Sequence, residues 1–181
     1  MKRKNILIEK YLEPSQIKSD GEYTTKCWFN KYGEFHSFFG QPSVITINNL
    51  TNEFWEKQWH KNGKLHREGN KPAVIYWNKQ GEISHLYFCK NGLFNGDGDL
   101  PALFVKYNKT IIKYWYKENV LHRDNNMPAE LWYENGQITI KKWYKNGELI
   151  KTKFYSPEHL FFLRLLTNLK KGFKTIKNKL F

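Results

Sequence analysis

Four segments of the chain share one alternation of positions. Counted from a proline, the first, third and fifth residues are Ser43-Ile45-Ile47, Ala73-Ile75-Trp77, Ala102-Phe104-Lys106 and Ala129-Leu131-Tyr133, after Pro42, Pro72, Pro101 and Pro128. A period of two is the signature of a β-strand with one face turned to a core. Apart from Lys106, the pattern predicts that this face is the buried one. The positions between read Val74-Tyr76 in one copy and Glu130-Trp132 in another, a face expected to be half wetted. Proline opens each segment, where its missing N–H costs a strand ladder least.

Turn chemistry separates these strands. Asn-Gly stands at 62–63, 91–92, 135–136 and 146–147. Both residues tolerate the positive φ that a two-residue type I′ hairpin requires. The clearest hairpins are "IYWNKQGEISHLYF" (75–88) and "LWYENGQITIKKWY" (131–144). An aromatic-led turn precedes each proline: "FNKYGEFH" (29–36), "WHKNGKLH" (59–66), "FCKNGLFN" (88–95) and "WYKENVLH" (115–122). A fifth, "WYKNGELI" (143–150), lacks the Pro-Ala half.

The proline spacings of 30, 29 and 27 make a unit of about 28 residues. The predicted fold is all-β: an elongated antiparallel β-meander of four units and a truncated fifth over 27–155. Residues 1–26 are expected to form an N-terminal arm, with a short element near Ile6–Leu12 and turns at Pro14-Ser15 and Ser19-Asp20-Gly21. Trp59, Phe88, Trp115 and Trp143 recur at one place in the unit, four residues before the turn's second residue. One unit cannot bury its own face, so stacked rings at equivalent places are expected to build a continuous core.

The "W-Y-x-N-G-x-L" turns resemble MORN-type repeats and their bacterial relatives. The longer unit "NGKLHREGNKPAVIYW" resembles the His-Arg…Pro-Ala repeats of large DNA viruses of amoebae and some bacteria. The resemblance covers about residues 27–155. It departs at Asn95-Gly96, where His-Arg is missing, and in the first unit, where His36 lacks its Arg. It implies an extended β-meander used for binding or scaffolding, and no particular chemistry.

His66-Arg67-Glu68 and His122-Arg123-Asp124 invite an acid–base reading. Catalysis needs groups converging within about 3 Å of a reacting atom. Repeats spread equivalent residues instead. At about 4.8 Å per strand, two units of two strands separate His66 from His122 by about 20 Å, too far to share a metal. These residues are read as fixing the loop that leads to Pro-Ala. The alternative is an interaction ridge formed by His66, Arg67, His122 and Arg123. No GxSxG, HExxH or glycine-rich phosphate loop is present, so no catalytic, cofactor or metal residue is expected. "NGDGDLP" (95–101) carries two acids but not the ligand set of a calcium loop. It reads as a third copy of the repeat's loop.

After Lys151 the pattern changes. Ser156-Pro157-Glu158 suits a helix start. Phe162, Leu165, Leu166, Leu169, Phe173, Ile176 and Leu180 then follow one helical stripe. A basic amphipathic α-helix is therefore expected over 156–181, with Arg164, Lys170, Lys171, Lys174 and Lys177 off the stripe. It would either cap the sheet's open edge or lie on an anionic membrane.

The whole chain has 181 residues and a formal net charge of +13. Of 30 basic residues only Arg3, Arg67, Arg123 and Arg164 are arginine. Basicity through lysine suggests general attraction to anions, and scarce arginine with no recognised motif argues against nucleic acid. Cys27 and Cys89 have no CxxC partner and fall in strand-like stretches. They are expected as buried free thiols in a reducing compartment such as a cytoplasm, a host's for a viral chain. No signal peptide or membrane-spanning run is recognised. The leading expectation is a non-catalytic repeat scaffold with a protein partner. The second is a peripheral membrane or polyanion binder anchored by its basic C-terminal helix. The sequence sets no oligomeric state.

Overall fold

A computed structural model of the chain describes residues 13–96 and 99–155. In chain order the strands are β1 (Gln16–Ser19), β2 (Tyr23–Cys27), β3 (Val44–Asn48), β4 (Phe54–Gln58), β5 (His60–Lys61), β6 (Lys64–Leu65), β7 (Val74–Trp77), β8 (Ile83–Tyr87) and β9 (Cys89–Lys90). They continue with β10 (Leu93–Phe94), β11 (Leu103–Tyr107), β12 (Thr110–Tyr114), β13 (Tyr116–Lys117), β14 (Val120–Leu121), β15 (Glu130–Glu134), β16 (Gln137–Lys145) and β17 (Glu148–Phe154). Eleven of them form one antiparallel sheet in the order β1-β2-β3-β4-β7-β8-β11-β12-β15-β16-β17. The pairs β5-β6, β9-β10 and β13-β14 are separate two-stranded hairpins inserted between successive sheet strands. The described residues contain no helix, and so none long and apolar enough to cross a membrane. The expected C-terminal helix lies outside the described residues.

The turns form as their chemistry requires. All four Asn-Gly pairs have positive φ at both residues, for example 49° and 74° at Asn62-Gly63. The β7-β8 and β15-β16 hairpins fall where the alternation placed them. Each hairpin row is stitched to the next by the same backbone bonds. Trp59 N–H donates to the Ala73 carbonyl, Phe88 to Ala102 and Trp115 to Ala129. His66 N–H donates back to the Trp59 carbonyl, Asn95 to Phe88 and His122 to Trp115.

The same bond runs from His36 to the Trp28 carbonyl. The recurring ring of the first unit is therefore Trp28 and not Phe29, and that unit carries one extra residue before its histidine. The sheet also begins earlier than expected. β1 and β2 lie inside the segment read as an arm, and Asp20 and Gly21 make the turn between them. Nothing is described of residues 1–12, where a short element had been placed.

Burial follows the unit but not the expected face. Ser43, Ala73, Ala102 and Ala129 are fully covered, and Trp59 and Trp115 are buried. Trp59 and Trp115 thus act as core, whereas Phe88 and Trp143 at the equivalent places are only half-buried. Beyond the alanines the alternation misleads. Val44, Thr46, Val74 and Glu130, on the face expected to be half wetted, are buried, whereas Ile45 and Ile75 on the other face are only half-buried. The cause is cross-strand cover: Val74 faces Tyr87 on one side and Gln58 on the other, and those long side chains close over it. Leu131 is the exception on the opposite face, buried with Trp115 and Ala129. Cys27 and Cys89 are buried free thiols. Burial pushes the Cys89 thiol up to about 11, so it is inert as a nucleophile.

Candidate functional site

The His-Arg elements are inter-unit staples. His66 Nδ1 accepts from the backbone N–H of Asn91, the first turn residue of the next hairpin, at 3.1 Å. His36 does the same for Asn62 at 3.3 Å, and His122 for Asn146 at 3.4 Å. Because Nδ1 accepts, the ring proton sits on Nε2. There it meets Glu68 Oε1 at 2.8 Å from His66 and Asp124 Oδ1 at 3.0 Å from His122.

The neighbouring arginine lies flat on its own unit's tryptophan. The Arg67 guanidinium carbon is 3.5 Å from the Trp59 ring centroid, and that of Arg123 is 3.9 Å from Trp115. Each also donates to the carbonyl of the proline that opens the next strand, Arg67 to Pro72 at 3.1 Å and Arg123 to Pro128 at 3.3 Å. The tryptophan completes the cycle by donating its indole N–H backwards to the preceding loop. Trp59 reaches the Gly40 carbonyl at 3.0 Å, Trp115 that of Asp99 at 3.1 Å, and Trp143 that of Asn126 at 3.0 Å. All three acceptors lie two residues before the proline, which places Asp99 and its neighbours as a third copy of the loop.

His66 and Arg67 share one unit, and His122 and Arg123 another; the two sets do not converge. Arg164, Lys170, Lys171, Lys174 and Lys177 lie outside the described residues. Among the described residues no group of three His, Cys, Asp or Glu side chains could hold a metal ion.

A cleft of about 980 Å³ opens between the third and fourth units, where the repeat departs from its pattern. Asn95 stands there for the histidine, and Glu118-Asn119 for the Asn-Gly turn. The staple is reversed, with Phe94 N–H donating to Asn119 Oδ1 at 2.7 Å. Five of the charged or titratable groups around this cleft are paired with one another. Arg123 meets Asp99 at 3.1 Å, while Lys117 at 3.5 Å and His122 at 3.0 Å both meet Asp124.

Two features of the sheet escaped the sequence reading. Glu130 is buried yet ionised. Burial alone would raise its carboxyl pKa, but hydrogen bonds from Lys142 at 2.7 Å, the Trp132 indole and the Tyr144 hydroxyl at 2.8 Å outweigh it and hold the pKa below the usual range. Burial and this carboxylate push the Tyr144 hydroxyl up to about 12. The second feature is a row of lysines, each two residues before a recurring tryptophan: Lys26-x-Trp28, Lys57-x-Trp59, Lys113-x-Trp115 and Lys141-x-Trp143. Leu86 before Phe88 is the single break. That spacing was the available signal.

The chain matches no protein-family model, no curated protein and no solved structure.

Proposed function

We propose that the chain is a non-catalytic repeat scaffold whose sheet engages a protein partner. One observation carries this. The side chains that recur from unit to unit are consumed inside the array: histidine joins its unit to the next turn and tryptophan to the previous loop, while arginine braces its own unit against tryptophan and a proline carbonyl. What the fold then presents outward is surface. Eleven strands at about 4.8 Å make an elongated sheet about 48 Å across, built from units of about 28 residues. The likeness of its turns to MORN-type and His-Arg…Pro-Ala repeats supports a binding role by analogy alone.

The test is capture on immobilised full-length protein, followed by reconstitution with the purified, identified partner. A saturable complex with fixed stoichiometry, preserved in His66→Ala, is the expected result. Stoichiometric zinc in the purified protein, with hydrolytic turnover lost in His66→Ala, would overturn the reading.

The second reading is a peripheral membrane or polyanion binder working through the tail. The observation that favours it is that residues 159–181 carry six basic and no acidic side chains. Flotation of full-length protein on anionic liposomes, against a chain ending at Tyr155, separates the two readings. Loss on truncation assigns membrane binding to the tail.

A further inference from the structure

Strand register turns the Lys-x-Trp spacing into a line. Lys26 pairs with Ile45 and Ile45 with Lys57. Lys57 then leads through Ile75, Leu86 and Phe104 to Lys113. Lys113 pairs with Leu131, Leu131 with Lys141, and Lys141 with Lys153. Directly opposed residues point to the same side of a sheet. One face therefore carries a cross-strand row of five lysines interspersed with aliphatic and aromatic residues, with no carboxylate in it.

Among the described residues, no ion pair joins any of these five lysines to an acid. Four of them lean on rings of their own face instead: Lys57 Nζ is 3.2 Å from the Phe54 centroid, Lys113 Nζ 5.0 Å from Tyr133, and Lys141 Nζ 5.4 Å and Lys153 Nζ 4.9 Å from Tyr155. Glu56 and Glu130 lie on the other side and are engaged there, Glu130 with Lys142 and Glu56 with Gln58, while on the lysine side Glu82 is taken by Lys106 at 3.0 Å and Glu148 stands opposite Lys145 at the end of β17. Burial and nearby Arg67 lower the pKa of Lys57, as expected of a cation short of counter-charge.

We propose that this face docks an acidic amphipathic helix of the partner protein, laid across the strands. The inference rests on the scaffold reading and names the partner's chemistry. Charge complementarity selects an acidic partner. Spacing selects a helix: lysines two strands apart are about 9.6 Å from one another, and seven helical residues rise about 10.5 Å. An acid at every seventh position meets a lysine. An apolar residue three or four positions on, about 5 Å along the axis, meets the half-buried Ile45 between Lys26 and Lys57, while Leu131 between Lys113 and Lys141 is already covered. The central apolar stretch from Ile75 to Phe104 would take a run of apolar residues on the helix.

Other occupants fit less well. The chain's own residues 159–181 are basic and would be repelled. A nucleic-acid backbone offers nothing to the aliphatic residues between the lysines. A second copy has Glu130 already held by three partners.

The experiment uses full-length protein and a labelled synthetic helical peptide with Glu at every seventh position, Leu in place of the Glu that would meet Leu86, and Leu three and four residues after each of these positions. Anisotropy titration is expected to give saturable binding, with Kd raised at least about tenfold in the double variant Lys57→Glu and Lys113→Glu. The pair Lys31→Glu and Lys109→Glu, on exposed turns, is expected to change Kd less than about twofold. Melting curves check that the variants fold; Lys57→Gln with Lys113→Gln is the milder substitute and should give a smaller loss in the same direction. Equal affinities across the two pairs would overturn the proposal. So would a face reversal that abolishes binding only to phosphatidylserine vesicles or to an oligonucleotide. A captured partner that binds the Lys57→Glu and Lys113→Glu protein undiminished would leave the scaffold standing and remove this face as its surface.

Discussion

At the scale of single residues, His66 makes two hydrogen bonds of unequal worth. Its bond from Asn91 N–H reaches another unit and is held by a ring that is 9% exposed. Its bond to Glu68 ends on a carboxylate that is 73% exposed and shared with water. Surface pairs of that kind contribute little. His66→Phe keeps the ring volume and removes the acceptor, so it should cost about 1 kcal/mol in urea unfolding. Glu68→Gln should leave the urea midpoint unchanged. Equal losses in both would mean that the acid, not the turn, is what the histidine serves. His60 makes a different prediction. It is buried, stacked on Phe35 and bonded to Ser43 Oγ at 2.8 Å. Burial lowers its pKa from the usual 6.5 to about 4. As pH falls, the unfolded chain takes up this proton before the folded one, so stability drops between about pH 6.5 and 4 and this group adds nothing below that. The urea midpoint should therefore fall more between pH 7 and pH 4.5 in the wild type than in His60→Gln.

At the scale of the element, each unit is a strand pair, a hairpin and a loop locked by one tryptophan. Trp115→Phe would keep a ring beneath Arg123 but lose the indole bond to the Asp99 carbonyl. It should cost about 1 kcal/mol, whereas Trp115→Ala should cost about 3–5 kcal/mol through the cavity it leaves. Urea unfolding of both variants checks this, and equal losses would show that the indole N–H, not the ring, holds the loop. The third unit already lives without that bond, since the Phe88 ring has no N–H to give. The strands and turns of these elements were legible because their signals are local: Asn-Gly states its own backbone geometry, and alternation states period two. The covered face was not legible. Val74 is buried by Tyr87 and Gln58, which are brought to it by register and not by sequence proximity. Trp28 was mistaken for Phe29 for a related reason: one extra residue in the first hairpin shifts the count, and only the His36 N–H to Trp28 carbonyl bond restores it. The lysine row was written in the sequence as Lys-x-Trp, but its meaning as a line depends on strands whose paired residues, such as Lys26 and Ile45 or Lys57 and Ile75, are distant in the chain.

At the scale of the whole molecule, the seams between units are not equal. Gly63 N–H donates to the Phe35 carbonyl, Gly92 to Leu65 and Gly147 to Leu121, tying each turn to the hairpin before it. Among the described residues no such backbone bond ties the Glu118-Asn119 turn to β9-β10. The histidine staple is missing there too, and the 980 Å³ cleft lies at the same place. Glu118 also has a φ of 54°, at a position where the other four turns of this kind carry asparagine. A left-handed conformation costs a residue such as glutamate about 1–2 kcal/mol, which asparagine partly avoids. In an array whose stability is a sum over units and their interfaces, such a seam should open before the rest. Native-state hydrogen exchange should find the amides of β13-β14 less protected than those of β5-β6. Glu118→Asn should raise stability by about 0.5–1 kcal/mol. Adding Asn95→His and Asn119→Gly, which rebuilds the pattern of the other junctions, should bring β13-β14 protection up to that of β5-β6. If β13-β14 is already as well protected in the wild type, the reversed bond from Phe94 to Asn119 is as strong a joint as the histidine. The departure would then leave the array mechanically uniform and change only its surface.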